Sequence, residues 1–209
     1  MVRFDLSAVG DALLTLRDET GILRRDSLSG EWDAYELELP RTRIFVEVTE
    51  GGTLPLEIPY GEPCPPLRLF RDTLLPSPGG STVQVRPLRQ YAFLTVEGSL
   101  AARLRIDGSV CGLEADASPA EGAFSCCAEL QGGAVSFRLP RQRNASLQLT
   151  VSSGAAESAF ALGRILEELG YDWTALELDS CRLRLDLDAT QLRLRADPWK
   201  DKEEKRIVL

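Results

Sequence analysis

Apolar and polar residues alternate with a period of two along most of this chain. Tyr35, Leu37 and Leu39 alternate with Glu36 and Glu38, and Ile44, Val46 and Val48 with Phe45 and Glu47. Successive strand side chains point to opposite faces, so this pattern is the mark of a half-buried strand. Between Leu13-Leu14-Thr15-Leu16-Arg17 and Ile22-Leu23 stands Asp18-Glu19-Thr20-Gly21. A glycine at position 21 can take positive φ at low cost, which suits a tight hairpin. The same reading predicts strands at 4–8, 13–17, 22–24, 35–39 and 43–49, then 82–85 and the strong apolar run 88–97. Further strands are predicted at 102–107, 110–115, 122–130, 134–139, 146–151, 181–187 and 191–196, the last two joined by a turn at 188–190.

Two stretches interrupt the alternation. Residues 50–66 carry Gly51, Gly52, Pro55, Pro59, Gly61, Pro63, Pro65 and Pro66. Prolines do not donate to a sheet ladder, so this is a long crossing loop with room for one edge strand at 54–58. Pro76-Ser77-Pro78-Gly79-Gly80 punctuates the chain again. We therefore expect a boundary at 84–90, with one β-sandwich domain over 1–86 and a second over 87–209. Ser136-Phe137-Arg138-Leu139-Pro140 echoes Leu37-Glu38-Leu39-Pro40, a strand closed by proline, which fits two domains of like architecture. Near 158–169 the period changes. Phe160, Leu162, Ile165, Leu166 and Leu169 fall at helical spacing and Gly170 supplies a C-cap, so one amphipathic helix of about three turns is expected. The expected class is all-β, mainly antiparallel, with this single short helix in the C-terminal half.

The 209 residues, 44% of them hydrophobic, suffice for a packed core. No apolar run reaches the ~18 residues of a membrane-spanning helix. Met1–Leu6 lacks the apolar core of a signal peptide, which leaves a cytosolic chain or an exported one whose leader has been removed. A net charge of −8 argues against nucleic acid and anionic membrane surfaces as partners. The three lysines all lie at 200–205, in a solvated charge run, and the 21 arginines sit along strands as solvated faces.

Histidine is absent, which removes Ser-His-Asp triads, Cys-His dyads and histidine metal motifs. Cys64, Cys111, Cys126, Cys127 and Cys181 show no Cys-x-x-Cys spacing, so no zinc site is expected. They are read as buried free thiols. The alternative is one disulfide from Cys126 or Cys127 to Cys181 or Cys111 in an oxidising compartment. Gly51-Gly52 and Gly132-Gly133 are read as hairpin turns, not phosphate cradles. Asp186 and Asp188 share strand parity and lie near Asp179; we read them as solvated, with a calcium site or a glycosidase-like acid pair as the alternatives. No catalytic, cofactor-binding or metal-ligating residue is assigned, no cofactor is expected, and the chain is not read as an enzyme. Trp32, Tyr171, Trp173 and Trp199 are candidates for a carbohydrate platform, Trp32 by its place in a loop, whereas Trp173 and Trp199 more readily cap the core. An open sandwich edge is another kind of site, because its free N–H and C=O groups can accept a partner's strand.

Four stretches together resemble a known family: Leu13–Leu23; Tyr35–Pro40 running into Ile44–Thr49; Val83–Val96; and Phe160–Gly163 through Tyr171-Asp172-Trp173, Leu183–Leu187, Leu192–Ala196 and Trp199. The chain resembles the fimbrillin and fimbrial-anchor lipoproteins of Bacteroides-type bacteria, the FimB-like branch. That resemblance implies two transthyretin-like β-sandwich domains, export as a lipoprotein, and a place at the outer membrane and cell surface. It implies a fimbrial anchor or subunit whose partners are other fimbrial subunits, joined by β-strand exchange, with host or bacterial surface ligands as further partners. Membrane contact would then run only through a lipid anchor. Asp26-Ser27-Leu28 and Asp72-Thr73-Leu74 match the short O-glycosylation pattern of these bacteria, making Ser27 and Thr73 candidate modification sites. The competing expectation is a secreted carbohydrate-binding β-sandwich module without catalysis.

Overall fold

The computed structural model describes the chain apart from residues 53, 55, 57, 111–121, 143–144, 189–190 and 197–209, and describes 110, 122, 186–188 and 191–196 by backbone alone. It contains fourteen strands and one helix among those residues. The chain divides into two compact units, Met1–Leu54 with Pro66–Gln90, and Pro55–Pro65 with Tyr91–Leu209.

The first unit is a sandwich of two sheets. Strands β1 (Val2–Asp5), β4 (Ala34–Leu37) and β7 (Ser81–Gln84) form one, in the order β4-β1-β7. The other runs β3-β2-β5-β6-β8, from β2 (Ala12–Asp18), β3 (Gly21–Leu28), β5 (Ile44–Glu50), β6 (Arg68–Leu74) and β8 (Leu88–Arg89). One core gathers Val2, Phe4, Leu37 and Val83 from the small sheet and Leu14, Leu16, Leu28, Ile44, Val46 and Val48 from the large one. These are the alternate positions that the period of two selects. The β2–β3 turn is built as expected. Asp18 Oδ1 accepts from the Thr20 amide (2.7 Å), the Thr20 hydroxyl (2.6 Å) and the Gly21 amide (3.2 Å), and Gly21 adopts φ +141°.

The second unit is organised by one long hairpin. Strands β9 (Tyr91–Val110) and β10 (Gly122–Pro140) run 20 and 19 residues and pair along almost their whole length. On its other side β9 pairs first with β13 (Ser180–Asp188), parallel, over Phe93–Gly98. Further on it pairs with β11 (Gln148–Ser153), antiparallel, over Arg103–Asp107. β12 (Ala156–Phe160) and β14 (Gln191–Ala196) complete the six strands. A register shift between Gln131 and Gly133 breaks the hairpin in the middle. It moves the inward set of β10 from even positions (Phe124, Cys126, Leu130) to odd ones (Phe137, Leu139), whereas β9 stays even (Leu94, Val96, Leu104, Ile106). Both halves feed a single core. Gly132-Gly133, expected as a hairpin turn, is instead this mid-strand bulge, with φ of +69° and +134°. At the same level Gly98 lets β13 approach: a Cβ there would stand 2.7 Å from the Leu185 carbonyl oxygen.

The helix α1 (Leu162–Glu168) is shorter than the periodicity suggested. Residues 156–160 pair with β11 as a hairpin strand, so Phe160 reaches the core from a sheet. The C-terminus closes as expected: Gly170 has φ +78°, its amide donates to Glu167 O, and the Tyr171 amide donates to Leu166 O, each at 2.9 Å. β6 was not anticipated. Its seven residues present Phe70 and Leu74 to the core but also a buried Leu69 on the other face, which hides the alternation. No strand forms at the described positions of 54–58; Gly61 instead bridges Cys126, and the Cys64 amide donates to Arg138 O. The class is thus all-β, with the β1–β7 and β9–β13 pairs the parallel exceptions.

Candidate functional site

The most distinctive local arrangement is the seat of β1. This strand supplies Val2 and Phe4 to the core at 0% exposure, and Leu6 follows at 1%. It is hydrogen-bonded on both sides, antiparallel to β4 with Phe4 opposite Tyr35 and parallel to β7 with Phe4 opposite Val83. The Ser81 amide donates to Met1 O (3.2 Å), the Val85 amide to Asp5 O (3.1 Å) and the Leu6 amide to Asp33 O (2.9 Å). Outward, Arg3 meets Glu36 at 2.9 Å across the β1–β4 ladder. Asp5 accepts from the Ser7 amide (3.1 Å), and this hydrogen bond holds its carboxyl below the ordinary carboxylate value. Each buried large apolar side chain contributes about 1.5–3 kcal/mol of transfer free energy, so β1 is a substantial plug. Without it, β4 and β7 would face each other across a groove, each with a row of unpaired backbone groups and apolar pockets at the Val2 and Phe4 positions. The connector behind β1 is pinned: the Gly10 amide donates to Glu50 Oε1 (2.8 Å) and the Gly30 amide to Asp11 Oδ1 (2.9 Å).

A second arrangement lies at the other end of β4. Trp32 is 42% exposed and stacks on Tyr35, with centroids 5.7 Å apart and planes 21° from parallel. The Tyr35 hydroxyl donates to Asp26 Oδ2 (2.9 Å) and accepts from Arg24 Nη2 (3.1 Å), while Arg24 Nε donates to the same Asp26 oxygen. Burial, then the bond to Asp26, raises the Tyr35 phenol, so it stays a neutral donor.

The four aromatic residues proposed from sequence do not form one platform. Tyr171 and Trp173 are buried in the second unit's core, edge-on at 4.5 Å, and Trp199 lies outside the described residues. Tyr35, the actual neighbour of Trp32, was missed; the signal available was its spacing of three across a short turn. The Asp179 carbonyl accepts from the Tyr171 hydroxyl (3.0 Å), and the side chains of Asp186 and Asp188 lie outside the described residues. Cys64, Cys126 and Cys181 are buried free thiols, Cys127 is an exposed one, and Cys111 lies outside the described residues. Burial pushes Cys64 and Cys126 up to about 12. Ser27 on β3 and Thr73 on β6 are both exposed.

No family profile matches the chain, and no curated protein matches it by sequence. Solved structures do. A candidate polysaccharide-binding protein of Bacteroides thetaiotaomicron superposes with a TM-score of 0.69 at 11% identity, over 99% of this chain and 96% of that one. A candidate adhesin of the same species gives 0.61 at 13% identity, over 100% and 96%. The fimbrial anchor protein Mfa2 of Porphyromonas gingivalis gives 0.59 at 10% identity, over 95% and 97%. The chain has the fold of these adhesin and fimbrial proteins. That is the fold implied by the sequence resemblance, and it extends over nearly the full length of each neighbour.

Proposed function

We propose that this chain is a non-catalytic cell-surface adhesion protein of the fimbrial type, an anchor or subunit that joins other fimbrial subunits by strand exchange. The observation that carries the reading is the seat of β1: a four-residue strand, first in sequence, fills the middle of a three-stranded sheet and plugs a core with Val2 and Phe4. A partner strand with apolar residues at alternate positions fits the same groove by the same ladders. The fold shared with a fimbrial anchor and with adhesin-type proteins supports the reading. The same proposal carries export and attachment at the outer membrane through a lipid anchor; among the described residues no helix is long and apolar enough to cross a membrane.

The test is removal of residues 1–6, read by sedimentation velocity with and without a synthetic peptide of sequence Met1–Leu6. The truncated chain is expected to lose the cooperative fold of its first unit and to associate through the exposed groove, and the peptide to return it to a folded monomer. A truncated chain that stays monomeric and folded, or one that the peptide cannot rescue, overturns the assignment of this groove.

A further inference from the structure

A large aromatic left exposed on a rigid frame is the feature of the first unit that strand exchange does not use. Trp32 sits in the turn between β3 and β4, and four hydrogen bonds fix that turn. The Trp32 amide donates to Ser29 O (3.1 Å), the Glu31 amide to Ser29 Oγ (3.3 Å), the Gly30 amide to Asp11 Oδ1 (2.9 Å) and the Leu6 amide to Asp33 O (2.9 Å). One face of the indole rests on Tyr35, and the Tyr35 ring is itself held by Asp26 and Arg24. Trp32 nonetheless stays 42% exposed. Core-forming aromatics in this molecule behave differently: Phe4, Phe124, Tyr171 and Trp173 are at most 7% exposed.

We propose that the exposed indole of Trp32, backed by Tyr35, is a binding subsite for a pyranose ring of a neutral glycan. The axial C–H groups of a hexose form an apolar face that matches an indole. Asp26 uses Oδ2 for Arg24 and Tyr35, which fixes the Tyr35 ring behind the indole. Because both aromatic rings are already ordered, little conformational freedom is lost on binding. The charge around the platform selects against acidic sugars. Glu31 and Asp33 flank Trp32 in the chain and are both exposed, and Arg24 at the Tyr35 hydroxyl is committed to Asp26. Arg25, its neighbour on β3, points to the opposite face by strand alternation.

The experiment follows the indole N–H signals of the intact chain by two-dimensional NMR, with the Trp32 signal assigned through Trp32→Phe. Three probes are titrated: a β-1,4-linked glucose hexamer, a β-1,4-linked galactose hexamer and a galacturonate hexamer. At least one neutral hexamer is expected to shift the Trp32 signal saturably, with a Kd of about 0.1–5 mM as suits one stacked ring, and galacturonate to leave it unmoved. Trp32→Ala should weaken that binding at least ~tenfold and Asp26→Asn by a smaller factor, with the thermal transition retained. Phe45→Ala, which removes an equally exposed ring (41%) on the outer face of the large sheet, should change nothing. The proposal is overturned by a Trp32 signal that neither neutral hexamer moves, by galacturonate binding as well as they do, or by Phe45→Ala weakening binding as much as Trp32→Ala. None of these outcomes depends on β1, so the two proposals stand or fall separately.

Discussion

The central strands of the two units are held in opposite ways. β1 is four residues long and lies between two strands of equal length, each paired with it over those four residues and no more. β9 is five times as long, pairs with β10 along nearly all of it, and is flanked on its other side by β13 and β11 in turn. Both strands bury apolar residues at alternate positions, so local sequence chemistry does not separate them. What differs is how much of each ladder must open before the strand can leave. Opening β1 breaks one short patch of a small sheet. Opening β9 dismantles three pairings and the core that runs beneath both halves of the hairpin. The short strand whose exchange we propose and the long strand that is held on both sides are thus built from the same alternation.

The largest effect that would break this comparison is deletion of residues 1–6. It should abolish the cooperative unfolding of the isolated first unit while leaving the second unit native. The thiols give the readout, because all described cysteines belong to the second unit. Cys127 should react with a maleimide at once under native conditions. Cys64 and Cys126, pushed up to about 12 by burial, should react only on global opening of that unit. Faster labelling of Cys64 in the deletion variant, seen by mass spectrometry of the tryptic peptides, would show that the units are not independent.

Next come paired core truncations. Phe4→Ala should cost about 3–5 kcal/mol and Leu104→Ala about 2–5 kcal/mol, since both side chains are fully buried. Their consequences should differ. Phe4→Ala loosens the plug and should promote multimers that the Met1–Leu6 peptide suppresses. Leu104→Ala should lower the second transition in urea with no peptide-sensitive assembly. Multimers from both variants would indicate ordinary aggregation of exposed core. Smaller again is Arg3→Ala. The Arg3–Glu36 pair is about half exposed on each side, so its loss should cost no more than about 1 kcal/mol and fade in high salt. A greater loss would mean that β1 is held by its rim more than by Val2 and Phe4.

Much of this was legible in the sequence, and what was not has a physical reason. Strict alternation at 35–39 and 44–48 placed both strands in register with their cores, because period two is a local property. β6 carries apolar residues on both faces, so its alternation vanished although its pairing with β5 spans seven residues. Phe160 falls at helical spacing with the residues of α1 by coincidence; β11 decides that 156–160 is a strand, and no local signal reports that partner. Gly132-Gly133 looked like the end of two strands because a bulge needs the same positive φ as a turn. The candidate site was legible only in parts. Residues 4–8 read as a strand, but its position at the centre of a sheet depends on β7, about eighty residues away. Trp32 stood out alone. Its frame did not, because Arg24 and Asp26 reach Tyr35 across the sandwich from another strand.

The smallest effect concerns acid. The Asp5 carboxyl is held below its ordinary value of 3.8 chiefly by the Ser7 amide, and that of Asp18 chiefly by the Thr20 hydroxyl, both in the first unit. In the second, Asp172 is held down chiefly by the Thr174 hydroxyl. A carboxyl whose folded value is depressed stabilises the fold above its unfolded value, and that contribution disappears as pH falls through the folded one. Asp172 is exposed and Asp5 and Asp18 are partly so, so the loss should be shallow and confined to pH below about 4. Asp5 is the informative member, because its acceptor role fixes the bend that leads out of β1. Asp5→Asn should flatten the acid dependence of the first transition and leave the second untouched. It should also make peptide exchange into the β1 groove less sensitive to pH between about 2 and 5. An exchange rate with the same acid dependence in wild type and Asp5→Asn would place the control of β1 release elsewhere than in this turn.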